Sequence, residues 1–95
     1  MKVGVIVDLN IKDGQLEAYM ECVSELVRLT HQNDEGCIAY DVYKEKDGSD
    51  IKMLEVWESQ EALDNHAQSE HYKRLLPDLG AFYNEQPVVR FYNML

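Results

Sequence analysis

Hydrophobic and polar residues alternate near the start of the chain, which is the pattern of a β-strand. Between Val3 and Leu9 every second residue is apolar and most of these are β-branched, as in strands that bury one face. Gly4 and Ile6 fall on the opposite face, so we expect that face to be partly covered as well. The pattern predicts a first strand over Val3 to Leu9.

A helical pattern follows, in which apolar residues recur every three or four positions. Asp13 offers an N-cap, and the turn-forming run from Asn33 to Gly36 ends the pattern. The sequence therefore predicts an amphipathic helix from Asp13 to about Gln32. Its apolar stripe consists of Leu16, Tyr19, Met20, Val23, Leu26, Val27 and Thr30.

Two further strands are predicted, over Cys37 to Lys44 and over Ile51 to Glu58. The polar loop between them, Glu45 to Asp50, contains Asp-Gly and has the length of a hairpin connection. Strands joined so closely must be antiparallel. With six residues in the loop, Tyr40 is placed opposite Glu55.

The second half of the chain predicts a broken helix and a last strand. Ser59 can cap a helix over Gln60 to about Gln68, and Ser69 can cap another that begins at the next residue. Pro77 lacks an amide hydrogen and is expected to kink or split this second helix. After a turn, Val88 to Leu95 reads as the final strand.

The order β-α-β-β-α-β is typical of a ferredoxin-like α+β fold with an antiparallel four-stranded sheet. We expect residues 1–95 to form this single domain, with both helical regions on one face of the sheet. Apolar residues nevertheless occur on both faces of the first and last strands. Because an uncovered apolar face favours association, we expect a homodimer that packs sheet against sheet.

Composition excludes several classes of function. The formal net charge of −9 disfavours nucleic-acid binding, which requires Lys and Arg at phosphates. Cys22 and Cys37 lack metal-type spacing, and free thiols are expected of a cytoplasmic protein. No run reaches the 18 or more apolar residues of a membrane span, and Val3 to Leu9 is too short for a signal peptide. We therefore expect a cytoplasmic protein with no membrane partner.

Two residues could carry chemistry. His66 follows Leu63 by three positions and Ala62 by four, so it faces the sheet. It is either a structurally satisfied histidine or a cavity base. Glu55 lies on the same strand face as Trp57, where a dry carboxyl would have a raised pKa and could act as a general base. Alternatively, Glu55 is a structural carboxylate paired with Arg90, Tyr40 or backbone amides.

Other polar and aromatic residues have both a structural and a functional interpretation. Trp57 is expected in the core and can also wall a pocket for an aromatic ligand. His71 follows His66 by five positions, about 140° around a continuous helix. This is not the spacing of a helical zinc site, so we expect no metal. Tyr72 more often fills a core than binds a ligand, and Asn10 is typical of a turn.

Together these residues resemble the antibiotic biosynthesis monooxygenase domain family, most clearly from Gly36 to Tyr72. The resemblance implies a dimeric α/β barrel with a cavity between helices and sheet in each subunit. It also implies oxidation of a quinol or polyphenol by O2 without flavin, metal or haem, and hence no cofactor. The matching residues are Glu35-Gly36-Cys37 with Tyr40, Glu55-Val56-Trp57-Glu58-Ser59, Ala62-Leu63 with His66, and Ser69-Glu70-His71-Tyr72.

The resemblance assigns roles to these positions. His66 would act as the base or a hydrogen-bond partner, and Trp57 would form the cavity wall and donate its indole N–H to an oxyanion. Glu55 and Tyr40 would orient the substrate or His66. The predicted catalytic residues are His66, Trp57 and Glu55, and the predicted substrate-binding residues are Tyr40, His71, Tyr72 and Asn10.

Two other functions are compatible with the same pattern. One is a small-molecule isomerase that uses His66 and His71 as proton shuttles. The other is a non-catalytic binding or stress-response module whose cavity is filled by side chains. Haem degradation is disfavoured, because the haem-ligating histidine of that branch falls near Leu75 or Leu76, where this chain has none.

Overall fold

The structure, a computed structural model that describes all residues 1–95, contains four strands and three α-helices in the order β1-α1-β2-β3-α2-α3-β4. The strands are β1 (Val3–Leu9), β2 (Cys37–Lys44), β3 (Ile51–Trp57) and β4 (Val88–Asn93). The helices are α1 (Leu16–Asn33), α2 (Gln60–Gln68) and α3 (Glu70–Leu79), and a 3-10 turn covers Gly80–Phe82.

The four strands form one sheet in the order β2-β3-β1-β4, with every neighbouring pair antiparallel. This confirms the ferredoxin-like α+β fold. Glu55 lies opposite Tyr40 on one side, as predicted, and opposite Val5 on the other. Since Val5 in turn pairs with Phe91 of the edge strand, these four residues form a row across the sheet and share one face.

The core lies between this face of the sheet and the helices. The predicted stripe of α1 is confirmed, because Tyr19, Val23 and Leu26 are each only 1% exposed. Trp57 of β3 is completely buried. Full burial of each such side chain stabilises the fold by roughly 1.5–3 kcal/mol, so the helix and strand faces are held together mainly by these contacts.

Several predicted element ends are wrong by a few residues. Helix α1 begins at Leu16 rather than Asp13, because Gly14 has a φ of 76°, outside the helical region. Gln15 occupies the cap position without a side-chain hydrogen bond. Strands β3 and β4 end at Trp57 and Asn93, before the predicted Glu58 and Leu95.

The second helical region is divided at Ser69, not at Pro77. Ser69 is extended, with φ −66° and ψ 150°; its side chain accepts a hydrogen bond from the Tyr72 amide, and its own amide donates to the His66 carbonyl. Helix α3 continues through Pro77, which lies in its last turn. Of the two effects predicted at Pro77, a kink or a split, the split is therefore wrong, while the predicted break and cap at Ser69 and the cap at Ser59 are confirmed. None of the three helices combines the length and apolarity that membrane crossing requires.

The face of the sheet away from the helices is mixed. Asp8 accepts hydrogen bonds from Lys52 and Arg90 towards one end of the strands, at 2.5 and 2.6 Å. Ile6, Leu54, Val56 and Tyr92 share the face around this group and are only partly covered. This is the surface on which the sequence predicts a second copy of the chain.

Candidate active site

A cavity of about 840 Å³ lies between the helices and the sheet, and 16 of its 25 lining residues are hydrophobic. Val5, Val7 and Met53 contribute to its floor, and Leu63 and Leu76 to its helical wall. Among its lining residues, four that lie between the sheet and the helices carry polar groups: Tyr40, Glu55, His66 and Tyr72. A mostly apolar cavity with a few convergent polar groups is the usual form of a site for a small organic ligand.

Glu55 is the carboxyl in this cavity. It is only 9% exposed, and its Oε1 accepts a hydrogen bond from Trp57 Nε1 at 2.9 Å. Burial raises the pKa of Glu55 to about 7, although the Trp57 hydrogen bond opposes the shift. Pairing of Glu55 with Arg90 is ruled out, because Arg90 lies on the opposite face and donates to Asp8.

Trp57 packs against the residues of the site from within the core. Its ring is fully buried and lies 4.8 Å from the His66 ring and 6.1 Å from the Tyr40 ring, centroid to centroid. It is not among the lining residues of the cavity. Its single N–H donates to Glu55, so the predicted donation to a substrate oxyanion would require this hydrogen bond to break, and both predicted roles of Trp57 stay predictions. Trp57 fixes one oxygen of the carboxyl.

His66 lies on the cavity wall, 3% exposed, as its position in the helical pattern predicted. Its ring is within 5 Å of three aromatic rings: Trp57 at 4.8 Å, Tyr40 at 4.9 Å and Tyr72 at 4.7 Å. Burial lowers the pKa of His66, and the hydrogen bond to Asp34 opposes this. Burial therefore favours the neutral imidazole, whose Nε2 is buried and has no hydrogen-bond partner.

Asp34 was not predicted and is the main addition to the site. It follows α1, and its side chain is 8% exposed. Its Oδ2 lies 2.5 Å from His66 Nδ1, and its Oδ1 lies 2.9 Å from His71 Nε2, at an angle unlike that of a hydrogen bond. The sequence signal was its place just before the Glu35-Gly36 turn, but no helical or strand spacing connects it to His66.

The predicted substrate-binding residues divide into two groups. Tyr40 and Tyr72 line the cavity, and burial raises the pKa of both hydroxyls, so both remain neutral hydrogen-bond donors. His71 contacts Asp34 and does not line the cavity. Asn10 also lies outside it, although its amide donates to Glu85 on the cavity rim. Substrate binding by His71 and Asn10 therefore stays a prediction, and neither residue lines this cavity.

A second pair of hydroxyls lines the cavity and was missed as a functional feature. Tyr19 and Tyr83 are joined by a hydrogen bond of 3.1 Å between their hydroxyl oxygens. Tyr19 falls in the predicted apolar stripe of α1, and its separation of 64 positions from Tyr83 gives no sign in the sequence that the two meet.

Asp34, His66 and His71 are also the one group whose side chains could hold a metal ion, since their ligand atoms lie within 4.8 Å of one another. However, His66 Nδ1 and Asp34 Oδ2 are only 2.5 Å apart. Ligand atoms around a common zinc ion at about 2.0–2.1 Å would be separated by roughly 3.3 Å. The geometry is that of a hydrogen bond, which a metal ion would have to break.

The fold and the cavity define a small α+β domain with a mostly apolar cavity beside a carboxyl and an imidazole. The sequence profile of the antibiotic biosynthesis monooxygenase family matches residues 2–77. The chain belongs to that family, which confirms the resemblance found in the sequence.

Individual relatives agree with this assignment. The Mycobacterium tuberculosis protein named "Putative monooxygenase Rv0793" is 36% identical over 47 residues, a match that spans 50% of this chain and 46% of that protein. Its structure covers 100% of this chain and 96% of its own, with a TM-score of 0.87 and 25% identity. The structure of a conserved protein from Methanosarcina mazei Go1 is 28% identical, with a TM-score of 0.89 over 97% of this chain and 91% of its own.

Proposed function

We propose that this protein is a cofactor-independent monooxygenase that oxidises a quinol or polyphenol with O2. The observation that carries the proposal is Glu55, a carboxyl whose pKa is raised to about 7 by burial on the wall of a mostly apolar cavity. Membership of the antibiotic biosynthesis monooxygenase family supports the same reaction class.

Glu55 would take the proton of a substrate hydroxyl. A phenol with a pKa near 10 and a carboxyl near 7 differ by about 3 units, or roughly 4 kcal/mol. Hydrogen bonds to the developing oxyanion must offset this difference. The neutral hydroxyls of Tyr40 and Tyr72, which line the same cavity, are the groups that could donate them.

The oxygen step needs no external reductant. The substrate anion would pass an electron to O2, and recombination would give a hydroperoxide on a substrate carbon. If that carbon loses two hydrogens and gains one oxygen atom as a carbonyl, the second oxygen atom leaves as water. The mostly apolar lining of the cavity would limit contact of the anion and the hydroperoxide with solvent.

His66 would accept a hydrogen bond from a second substrate hydroxyl through Nε2. That nitrogen is buried and has no partner within the chain. An unpaired buried acceptor is unfavourable unless a ligand supplies the donor. The isomerase alternative is less well supported, because His71, its second proton shuttle, lies outside the cavity.

Oxygen consumption with a panel of naphthoquinols tests this proposal. We expect turnover by the wild type that falls by at least about 100-fold in His66→Ala, a typical loss when a group that positions the substrate is removed. His31→Ala is the matched control, because His31 pairs with Asp41 on the surface. Equal O2 uptake by the wild type and His66→Ala would contradict the proposal, and conversion of substrate under nitrogen would favour an isomerase.

A further inference from the structure

One buried carboxylate contacts two imidazoles at the junction of three elements and is hydrogen-bonded to one of them, His66. Asp34 follows α1, His66 is in α2, and His71 is in the first turn of α3. The side chains are 8%, 3% and 12% exposed, respectively. The extended Ser69 between α2 and α3 allows both histidines to approach the same carboxylate, which a continuous helix would prevent.

The contact with Asp34 fixes the chemical form of His66. In a neutral imidazole one ring nitrogen is a donor and the other an acceptor. Since an ionised carboxylate only accepts hydrogen bonds, the 2.5 Å contact with Asp34 requires the proton on Nδ1. The lone pair is then on Nε2, the nitrogen that has no partner in the chain.

We propose that Asp34 is a positioning residue for the reaction: it holds His66 as the Nδ1–H tautomer, so that Nε2 accepts a hydrogen bond from a substrate hydroxyl. The contact of His71 with the other carboxylate oxygen keeps Asp34 oriented. The catalytic consequence rests on the proposed function, whereas the tautomer is a property of the free protein. Acid–base sites that hold a histidine against a buried Asp use the same principle, and the wrong tautomer lowers their turnover by about 10⁴-fold.

The chain contains its own control for this interaction. His31 Nε2 lies 3.1 Å from Asp41 Oδ1 in a second Asp–His pair, but these side chains are 41% and 45% exposed. Substituting Asp41 removes a carboxylate beside one imidazole, and substituting Asp34 removes a carboxylate beside two, His66 and His71. Only the Asp34 change affects an imidazole on the cavity wall.

The experiment combines nitrogen-15 NMR of the histidine rings with turnover of the best naphthoquinol. In the wild type at neutral pH we expect His66 to show a protonated Nδ1 and an unprotonated Nε2. In Asp34→Ala we expect mixed or Nε2–H protonation and turnover lower by at least about 100-fold. In Asp41→Ala we expect the His66 signals and the turnover to be unchanged.

Several results would overturn the inference. These are an Nε2–H tautomer of His66 in the wild type, an unchanged tautomer and turnover in Asp34→Ala, or a stoichiometric metal ion lost in Asp34→Ala. If Asp34→Ala does not fold, the wild-type spectrum still decides the tautomer. If no quinol is turned over, the proposed function fails, while the same spectrum still supports or overturns the role of Asp34 in fixing the imidazole.

Discussion

The raised pKa of Glu55 results from the position of this residue in the sheet. It faces the helices from β3, between Tyr40 and Val5 of the neighbouring strands, where little water remains to solvate a charge. The pKa of about 7 is the result of this burial, and the hydrogen bond from Trp57 limits the shift. A carboxyl with this pKa is half ionised near neutral pH, which suits a general base.

The pH dependence of turnover follows from this pKa. Because Glu55 must be deprotonated to accept a proton, we expect the rate to rise with pH to a plateau, with its midpoint near 7. Glu55→Gln should lower the plateau by about 10²–10⁴-fold. The exposed Glu58→Gln is the matched control, since Glu58 lies at the end of β3. An unchanged plateau and midpoint in Glu55→Gln would refute the assignment.

The same shift predicts how stability changes with pH. A raised pKa means that the folded protein binds the Glu55 proton more tightly, so Glu55 makes the fold less stable as pH rises from about 4.5 to about 7. At pH 8 the penalty should approach about 3 kcal/mol. Glu55→Gln lacks this titration and should gain stability relative to the wild type between pH 5 and pH 8. Urea denaturation of both proteins at pH 5 and at pH 8 measures this gain. A difference in unfolding free energy between the two proteins that is the same at both pH values would contradict the raised pKa.

Individual contacts were harder to predict than individual faces. The spacing to Ala62 and Leu63 indicated that His66 faces the sheet, and the hairpin length indicated that Tyr40 lies opposite Glu55. Neither pattern could reveal that Trp57 donates to Glu55 or that Asp34 reaches His66, since these contacts depend on side-chain rotamers and on how α1 and α2 pack.

At the level of elements, the turn between α1 and β2 brings Asp34 to the site. Gly36 has a φ of 83°, and a Cβ added there would lie 2.7 Å from the Ala62 Cβ of α2. The Glu58 amide also donates to the Gly36 carbonyl. A glycine is therefore required for α2 to pack closely against this turn, and His66 is carried by the same helix.

Gly36→Ala and Gly14→Ala form a matched pair that tests this packing. Both glycines have positive φ, but an added Cβ at Gly14 has no neighbour within 4 Å. We expect Gly14→Ala to lower the free energy of unfolding by about 1–2 kcal/mol from backbone strain alone. Gly36→Ala should suffer the same strain and lose a further amount of about 1–3 kcal/mol of unfolding free energy, because the new Cβ clashes with Ala62. Urea denaturation measures both free energies of unfolding. Equal losses in the two variants would show that α2 moves away from position 36 at no cost and would contradict the close packing.

The types of the elements followed from hydrophobic periodicity, whereas some of their ends did not. The start of α1 was misplaced because the positive φ of Gly14 is a backbone state that a good capping residue such as Asp13 does not reveal. The split predicted at Pro77 does not occur, because in the last turn of α3 its missing amide removes one hydrogen bond without ending the helix.

At the level of the whole molecule, the mixed face of the sheet predicts a homodimer. Leu54 and Val56 lie there beside the charged group of Asp8, Lys52 and Arg90. Light scattering should give about twice the chain mass of 11.0 kDa. Leu54→Glu should shift the protein towards monomer, because an unpaired charge would enter the interface. Ser24→Glu on the exposed side of α1 is the control, and a monomeric wild type would refute this prediction.

Reaction with ¹⁸O2 tests the central proposal most directly. We expect the wild type to place one labelled oxygen atom in the quinol product and the other in water, at a rate that Glu55→Gln lowers by at least about 100-fold. Glu58→Gln should behave as the wild type. Product with no label, or labelled product formed equally fast by Glu55→Gln, would contradict a monooxygenase that relies on this carboxyl.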